Sequence, residues 1–339
     1  MEFNEITKLF KTDLVQVEKV LRKNYWSDIP LAPGIGDYIM NGGGKRIRPL
    51  LLLISSRLCG LELSESVINH CCVVEYVHAA TLLHDDVVDE TTVRRGSETV
   101  NSKWGSDASI LIGDYLIARA IKLLSDDINP KIFKAFGHSA SILVEGGLLE
   151  FSHAREINVT EEHCLDVVFR KTASIMELSC QLGGLLADTE PAAEQALMEF
   201  GKNFGIAFQL IDDVMDYDGD PVLLGKPVGT DFKEGHVTLP LLYLYQKADS
   251  ALKNEIEQFI KNEAIGQKEL DYIVERMQEV KALEYSLDLA RSYLSKAKQA
   301  LNSFDFPAPE LRAALEGIAN YIIERHKPSK ASLTPTTGV

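Results

Sequence analysis

Apolar residues recur with the period of an α-helix over most of the chain. Between Glu5 and Arg22, helical spacing relates Ile6, Leu9, Phe10, Leu14, Val17 and Leu21. The same pattern predicts further helices near residues 46–59, 65–88, 107–124, 131–153, 161–187, 192–218, 237–246, 250–262, 267–280, 283–302 and 308–325. A convincing alternation of apolar and polar residues, which would predict strands, is not found in the sequence. We therefore expect an all-α fold.

Two of these helices, near residues 70–88 and 200–217, are apolar around most of their circumference. Such helices are typical of the middle of a bundle. The polar, glycine-containing segments Thr91–Gly105 and Asp218–Gly235 are predicted loops. We expect residues 1–326 to form a single large helical bundle with a central cavity. The Pro-, Ser- and Thr-rich segment 327–339 is predicted to be a disordered tail.

Both central helices end in the acidic pattern Asp-Asp-Val-x-Asp, at residues 85–89 and 212–216. Acids at positions i and i+4 of a helix share a face and repel each other, which indicates that a cation binds there. A solvated helix end would explain one cluster, but two clusters favour a bound ion. Mg²⁺ prefers oxygen ligands and shares its shell with phosphates. The predicted metal ligands are therefore Asp85, Asp86, Asp89, Asp212 and Asp216.

Composition and charge exclude several classes of protein. The 339-residue chain is 45% apolar and 25% charged, with a net charge of −15 and a pI near 5.0. This balance does not favour nucleic acid as a partner. The five cysteines form no Cys-x-x-Cys pair, and neither a signal-peptide core nor a membrane-spanning apolar run is present in the sequence. We expect a cytoplasmic protein with reduced thiols.

Basic clusters are informative in so acidic a chain. Gly42–Pro49 places glycines and three cations just before a predicted helix, an arrangement that favours anion binding. Arg94–Gly96 follows the first acid cluster, and Gly225–Gly235, with two lysines, follows the second. Arginine forks bind phosphate oxygens well. The repeated order of acids, loop and cations predicts a site for two phosphate-bearing groups.

These motifs resemble those of the trans-isoprenyl diphosphate synthases. The run Glu75–Gly96 is similar to the first aspartate-rich motif of that family, and Gln209–Pro227 is similar to the second. Further matches in order and spacing are Gly43–Pro49, Gly113–Leu116 and Lys171–Ala173. The resemblance extends from about Asp37 to about Pro240 and is closest to long-chain bacterial members.

The resemblance implies an enzyme that joins isopentenyl diphosphate to an allylic diphosphate with two or three Mg²⁺ ions. It implies catalytic roles for Asp85, Asp86, Asp89, Arg94, Lys171, Asp212 and Asp213. Isopentenyl diphosphate is then expected at Lys45, Arg48, His78 and Arg95. The allylic diphosphate is expected at Arg94, Lys171, Thr172, Gln209 and Lys226. A homodimer that delivers its product to a membrane is also expected.

The loop after the second motif departs from the family pattern. It carries His236 where the family usually has lysine. Histidine is a weaker cation than lysine at neutral pH. Whether position 236 supplies a positive charge to the allylic diphosphate is therefore in question. Lys233 could supply part of that charge instead.

Product length is expected to depend on the helix that ends at Asp85. The growing tail should pass Thr81, Ala80 and then Tyr76. Short-chain members have bulky residues at the first two positions, whereas Ala80 and Thr81 are small, and Gly146–Gly147 would leave further room. We expect an all-trans product in the octaprenyl range, about six to ten isoprene units by analogy, for quinone side chains. Tyr76 is a candidate for a deeper floor, and a geranylgeranyl or farnesyl product is the alternative.

Other classes of protein explain fewer of the motifs. A terpene cyclase would normally replace the second acid cluster with a different metal motif. A His-Asp metal phosphohydrolase could use His84 and Asp85 with His70 or His78, but the 212–216 cluster and the basic loops would then have no role. A non-catalytic subunit of a two-component synthase would be expected to lose the acid clusters.

Overall fold

The computed structural model describes residues 1–126, 128–219, 228–261 and 265–326. The helices of these ranges are α1 (Phe3–Leu9), α2 (Lys11–Asn24), α3 (Leu31–Asn41), α4 (Ile47–Leu58), α5 (Glu65–Val88), α6 (Val100–Trp104), α7 (Ser106–Ser125), α8 (Pro130–Ser152), α9 (Glu161–Val168), α10 (Ser174–Leu186), α11 (Pro191–Asp218), α12 (Thr230–Glu234), α13 (Leu239–Lys247), α14 (Ser250–Lys261), α15 (Gln267–Glu279), α16 (Ala282–Leu301) and α17 (Arg312–Glu324). A π-helical turn, Phe169–Ala173, joins α9 to α10, and a 3₁₀ turn, Pro309–Leu311, precedes α17. Strands β1 (Val93–Arg94) and β2 (Ser97–Glu98) form a short antiparallel hairpin. The prediction of an all-α fold is confirmed.

The two helices that are apolar on most sides lie at the centre of the bundle. Helix α5 packs along α7 and also contacts α2, α4 and α10, while α11 packs between α10 and α16. Buried apolar residues from Ile6 to Ile322 belong to one continuous core. Since α5 and α11 are surrounded by other helices, their apolar residues lose contact with water on several faces.

Glycines bring α11 unusually close to its neighbours. A Cβ atom on Gly205 would lie 2.5 Å from Ala173 Cα, and one on Gly201 would lie 2.7 Å from Glu177 Cα. Any side chain at these positions would push the helices apart. The close approach places the π-helical turn directly against the helix that carries the second acid cluster.

The N-terminal helix closes the bundle by packing on α17. The rings of Phe3 and Tyr321 stack with centroids 3.9 Å apart. The ammonium group of Lys45 lies 4.9 Å from the centre of the Tyr321 ring. Helix α17 therefore connects the N-terminal segment to the basic loop that precedes α4.

The structure differs from the predicted elements at a few places. The helix predicted from Glu5 to Arg22 is divided at Phe10, whose φ of −97° and ψ of 9° interrupt the helix. Helix α3 was not predicted because its sequence contains a proline and two glycines. The hairpin and two short helices, α6 and α12, lie within predicted loops.

The predicted tail, 327–339, lies outside the described residues. Among the helices that are described, none is long and apolar enough to cross a lipid bilayer.

Candidate active site

The ends of α5 and α11 meet at one cavity of about 1120 Å³. The predicted site residues on its wall are Lys45, Arg48, His78, Thr81, Asp85, Asp89, Arg94, Arg95, Lys171, Thr172, Gln209, Asp212 and Asp213. Four others, Tyr76, Ala80, Asp86 and Asp216, are buried away from the wall. The remaining predicted residue, Lys226, lies outside the described residues.

The three aspartates of the first acid cluster face two ways. Two of them face the cavity, and one contacts Arg94 of the following hairpin. Asp85 and Asp89 line the cavity, where burial raises the pKa of both carboxyl groups and Lys171 opposes that rise. Asp86 is only 4% exposed and accepts a hydrogen bond of 2.7 Å from Arg94 Nε. Asp86 therefore holds Arg94 in place, while the other two carboxylates face the cavity.

The second acid cluster is divided in a similar way. Asp212 lines the cavity and forms an ion pair of 3.2 Å with Arg325 on the C-terminal side of α17. Burial, followed by the nearby Asp231, raises the pKa of Asp213 well above its ordinary value. Asp216 is 1% exposed and accepts a hydrogen bond of 3.0 Å from the backbone N–H of Asp231. Asp216 therefore anchors the loop that follows α11.

The cavity-facing acids fit a hard divalent cation. Asp85, Asp89 and Asp212 offer carboxylate oxygens, the ligand type that Mg²⁺ and Ca²⁺ prefer. Burial makes the ionised forms of Asp85 and Asp89 costly unless a cation compensates them. Nearby, ligand atoms of Asp231, Glu234 and His236 lie within 4.8 Å of one another.

The basic side of the cavity is built around a buried carboxylate, Glu75. Arg46 pairs with Glu75 at 2.5 Å and with Glu18, so this loop cation is already used by the protein. Burial lowers the pKa of Arg48, although Glu75 opposes the shift. His78 has a pKa well below its ordinary value because it is buried and lies near Arg48 and Arg95. The imidazole of His78 is therefore neutral at pH 7.

The glycine loop before α4 turns through the left-handed region. Gly43 has a φ of 74° and Arg46 a φ of 47°. In this turn the backbone carbonyl of Gly43 accepts a hydrogen bond from Arg95 Nη1. The loop and the hairpin that carries Arg94 and Arg95 are thereby joined at the mouth of the cavity.

The π-helical turn presents two adjacent residues to the cavity, Lys171 and Thr172. Thr172 Oγ1 donates a hydrogen bond of 2.8 Å to Gln209 Oε1, and Gln209 Nε2 donates one of 2.8 Å to Asp213. Lys171 Nζ forms an ion pair with Glu150 on α8. π-helical turns occur often at functional sites, because the extra residue changes which side chains face inward.

His236 also faces the cavity. Its Nδ1 lies 4.0 Å from Glu150 Oε1 and 3.9 Å from Glu234 Oε2. The backbone N–H of His236 donates a hydrogen bond of 2.8 Å to the Asp231 carbonyl. The residue that departs from the family pattern is thus placed among carboxylates on the same wall as Lys171.

The three predicted chain-length residues occupy different environments. Thr81 lines the cavity and donates a hydrogen bond of 2.9 Å to the His78 carbonyl. Ala80 and Tyr76 are fully buried, and Tyr76 Oη donates a hydrogen bond of 2.5 Å to the Leu21 carbonyl on α2. The expectation that Gly146 leaves room is wrong, because a Cβ there would lie 2.7 Å from the Lys171 backbone nitrogen.

Three residues of the site were missed in the sequence. Glu75 lies inside the first motif but was not given a role, although a buried acid among arginines could have been suspected. Glu150 and Arg325 lie on helices far from either acid cluster in sequence, and the sequence contains no signal for their position.

Comparison with known proteins agrees with this geometry. The Polyprenyl synthetase family matches residues 30–277. The octaprenyl diphosphate synthase of Haemophilus influenzae is 36% identical, covering 96% of this chain and 98% of the relative. The geranylgeranyl diphosphate synthase of Saccharolobus solfataricus is 33% identical, covering 86% of this chain and 89% of the relative.

A solved structure shares the fold over nearly the same extent. The polyprenyl synthase of Caulobacter crescentus, complexed with calcium and isoprenyl diphosphate, has a TM-score of 0.91 and 33% identity. The match covers 96% of this chain and 98% of that structure. Enzymes of this family depend on divalent metal ions. The chain therefore belongs to the polyprenyl synthetase family and is a trans-prenyl diphosphate synthase, an enzyme that transfers prenyl groups.

Proposed function

We propose that this enzyme makes a long-chain all-trans polyprenyl diphosphate, in the octaprenyl range, for quinone side chains. It does so by adding isopentenyl diphosphate units to an allylic diphosphate. The observation that carries the proposed chemistry is one cavity in which two acidic helix ends face a cluster of arginine and lysine side chains. Relatives at 36% and 34% identity that are octaprenyl diphosphate synthases support the product length. A geranylgeranyl product remains the second candidate, because a relative with that activity is 33% identical.

Three of the carboxylates that face the cavity are the proposed metal ligands. Asp85, Asp89 and Asp212 would hold Mg²⁺, which when bound neutralises the leaving diphosphate and orients it. The other acids act on the protein itself. Asp86 holds Arg94, Asp213 holds Gln209, and Asp216 holds the backbone at Asp231.

Isopentenyl diphosphate is proposed to bind on the basic side, at Lys45, Arg48, Arg95 and His78. Arginine side chains bind the two charged phosphates through paired N–H groups. Since His78 is neutral, it serves as a hydrogen-bond donor rather than as a charge. Glu75 keeps the arginines together before substrate arrives, because it offsets their mutual repulsion.

The allylic diphosphate is proposed to bind at Arg94, Lys171, Thr172, Gln209 and Lys226. When its C–O bond breaks, pyrophosphate leaves and the double bond of isopentenyl diphosphate attacks the allylic carbon. The new C–C bond leaves a cation that loses a proton, and the released pyrophosphate accepts it. Lys171 and Arg94 stabilise the negative charge that develops on the leaving group.

The growing tail is proposed to enter the bundle beside Thr81. This side chain is small and lies on the cavity wall one turn before Asp85. The cavity volume of about 1120 Å³ exceeds the range of roughly 300–1,000 Å³ of ordinary small-molecule pockets. The small side chain at the entrance supports a long product, and the volume is sufficient for two diphosphate-bearing substrates. The roles predicted for Ala80 and Tyr76 remain predictions, because these residues are buried behind the wall.

A homodimer is also proposed. Helices α7 and α8 expose large apolar side chains, among them Leu111 at 63%, Val144 at 64%, Leu148 at 63% and Phe151 at 69%. Apolar surface of this kind is typical of an interaction site. A second copy of the chain would remove these side chains from water.

The experiment that tests the function uses the purified protein, Mg²⁺, isopentenyl diphosphate and farnesyl diphosphate. We expect a prenyl diphosphate of about eight isoprene units by mass spectrometry, and we expect EDTA to abolish its formation. Full activity in EDTA would refute the metal assignment. A product that stops at the geranylgeranyl stage would establish the second candidate instead.

A further inference from the structure

A carboxylate lies inside the proposed diphosphate site. Glu150 on α8 and Lys171 on the π-helical turn form an ion pair, and both side chains line the cavity. Their side chains are 23% and 25% exposed, so both are reachable by a ligand. Unlike Asp85, Asp89 and Asp212, Glu150 is not a proposed metal ligand, and an acid without a metal ion beside phosphates brings like charges together at a cost in free energy.

The ion pair is not the only contact that holds these described elements together. A Cβ on Gly146 would meet the backbone of Arg170 and Lys171, so α8 already packs tightly on the π-helical turn. A partly exposed ion pair adds little to stability, because water and salt screen it. A structural role alone therefore explains little of why Glu150 is placed there.

Glu150 pairs with the ammonium group of Lys171, which would otherwise be free to bind a phosphate. Burial alone would lower the pKa of Lys171, but Glu150, Asp85 and Asp89 together raise it above its ordinary value. Asp85 and Asp89 are the proposed metal ligands, so bound ions would offset their attraction for the lysine. Glu150 is not in either acid cluster and continues to compete.

A second partner for Glu150 is close at hand. His236 Nδ1 lies 4.0 Å from Glu150 Oε1, while Lys171 pairs with the other carboxylate oxygen, Oε2. When Lys171 turns towards a phosphate, Glu150 keeps a polar neighbour on its other side. The lysine can therefore move from the carboxylate to a phosphate without leaving Glu150 with no polar neighbour.

We propose that Glu150 competes with pyrophosphate for Lys171, so that the carboxylate retains the ammonium group in the empty site and speeds release of pyrophosphate after each condensation. This inference rests on the proposed function. It assigns Glu150 a positioning role, since the residue acts on the diphosphate through Lys171. Its removal should strengthen pyrophosphate binding and slow turnover.

The first test is calorimetric titration of inorganic pyrophosphate, with Mg²⁺ present, into wild type and Glu150→Gln. We expect the variant to bind pyrophosphate about three- to tenfold more tightly, as befits the removal of one partly screened charge. Its steady-state turnover should fall while its single-turnover rate does not. Glu150→Ser, which also removes the charge, should bind pyrophosphate more tightly as well.

The matched control is Glu145→Gln. Glu145 is on the same helix and pairs with Arg170 at 2.6 Å, but neither residue lines the cavity. This control should bind pyrophosphate as wild type does. If Glu145→Gln and Glu150→Gln tighten binding equally, the effect comes from overall charge and the inference is wrong.

A double-mutant cycle with Lys171→Met tests whether Glu150 acts through the lysine. The gain in pyrophosphate affinity from Glu150→Gln should shrink in the Lys171→Met background. An equal gain in both backgrounds would overturn the competition for Lys171.

The two levels of inference fail in different ways. If wild type forms no prenyl product and binds no pyrophosphate, the proposed function is wrong. If wild type does both but Glu150→Gln and Glu150→Ser bind pyrophosphate no more tightly, only the role of Glu150 is wrong.

Discussion

The two acid clusters have the same spacing in sequence, but their carboxylates have different neighbours in the structure. Asp85 and Asp89 share a face of α5, as their separation of one helical turn predicts, and both reach the cavity. Asp212 and Asp216 have the same spacing on α11, yet Asp216 is covered by the loop at Asp231. A cavity-facing acid such as Asp85 and a covered acid such as Asp216 should therefore respond differently to mutation.

Asp85→Asn should lower turnover by about a hundredfold or more, because it removes a proposed ligand of the ion that would neutralise the leaving group. The variant should be at least as stable as wild type, since burial already disfavours the ionised form of Asp85.

Asp216→Asn should instead lower the free energy of unfolding by about 1–3 kcal/mol, as it weakens a buried hydrogen bond to a charged acceptor. Steady-state kinetics and urea unfolding measure the two effects. If the two variants lost turnover and stability to the same extent, the proposed difference between a cavity-facing and a covered acid would be wrong.

Glu177 on α10 gives a prediction about pH. Burial raises its pKa to about 7, although Lys202 opposes the shift. Between its ordinary value of 4.5 and about 7, the folded protein binds a proton that the unfolded chain does not, so this group favours folding as pH falls through about 7. Above that pH the ionised group costs up to about 3 kcal/mol. Glu177→Gln should therefore stabilise the protein at pH 8 and much less at pH 5. Urea midpoints that rise equally at both pH values would disprove this.

The shared orientation of Asp85 and Asp89 towards the cavity was predictable from sequence, because helical spacing fixes which side chains share a face. The positions of Asp86 and Asp216 were not, because they depend on Arg94 and on the backbone at Asp231, which come from other elements. Glu150 and Arg325 could not be predicted for the same reason. Their place in the site results from packing between helices that are distant in sequence.

At the scale of elements, the contact between α8 and the π-helical turn positions Lys171. Gly146 is required there, since a Cβ would lie 2.7 Å from both Arg170 Cβ and the Lys171 backbone nitrogen. Gly147, its neighbour, has open space where a Cβ would be. The pair offers a test in which the same substitution is made at adjacent positions.

Gly146→Ala should destabilise the protein by about 1–3 kcal/mol, because well-packed backbone must shift to admit the methyl group. It should also weaken pyrophosphate binding by displacing Lys171. Gly147→Ala should leave binding unchanged and stabilise the protein by up to about 1 kcal/mol, through higher helix propensity. Chemical denaturation and calorimetry compare the two variants. A stable, fully active Gly146→Ala would show that α8 does not position the lysine.

The spacing of apolar residues predicted most helices, because the buried face of a helix recurs in the sequence about every 3.6 residues. Helix α3 was missed, since its helix-breaking residues are compensated by tertiary contacts. A Cβ on Gly36 would overlap the ring of Tyr25, so glycine at this position lets α3 pack closely. The π-helical turn leaves no mark in the apolar pattern of residues 161–187. Local rules therefore predicted the existence of helices better than their interruptions.

At the scale of the whole molecule, Thr81 lies on the cavity wall near Asp85, where the growing tail is proposed to enter the bundle. Thr81→Phe should retain condensation, because the charged mouth is unchanged. Its product should stop near the farnesyl or geranylgeranyl stage, since a phenyl ring would fill the passage in a core that cannot easily yield. Mass spectrometry of the products is the measurement. An unchanged product length would mean that the tail takes another path.

The proposed homodimer depends on the outer faces of α7 and α8. Leu111→Asp and Leu148→Asp should each shift the protein towards monomer, because a buried charge without a partner is costly at an apolar interface. Leu9 on α1 is 49% exposed and serves as control, so Leu9→Asp should not change the mass in solution. Sedimentation equilibrium measures all three. A monomeric wild type would refute the dimer.

The packing of α1 on α17 has a consequence for how the protein is made. Ribosomes release domains from the N-terminal end at about 5–20 residues per second, so roughly 15–60 seconds separate the synthesis of Phe3 from that of Tyr321. Throughout that interval Ile6 and Phe10, which are fully buried in the finished protein, lack α17, one of the elements that cover this end of the chain. Arg325, which pairs with Asp212, is added later still. The nascent chain therefore completes this part of the cavity wall only after α17 and Arg325 have been made, and until then the apolar face of α1 lacks one of its packing partners.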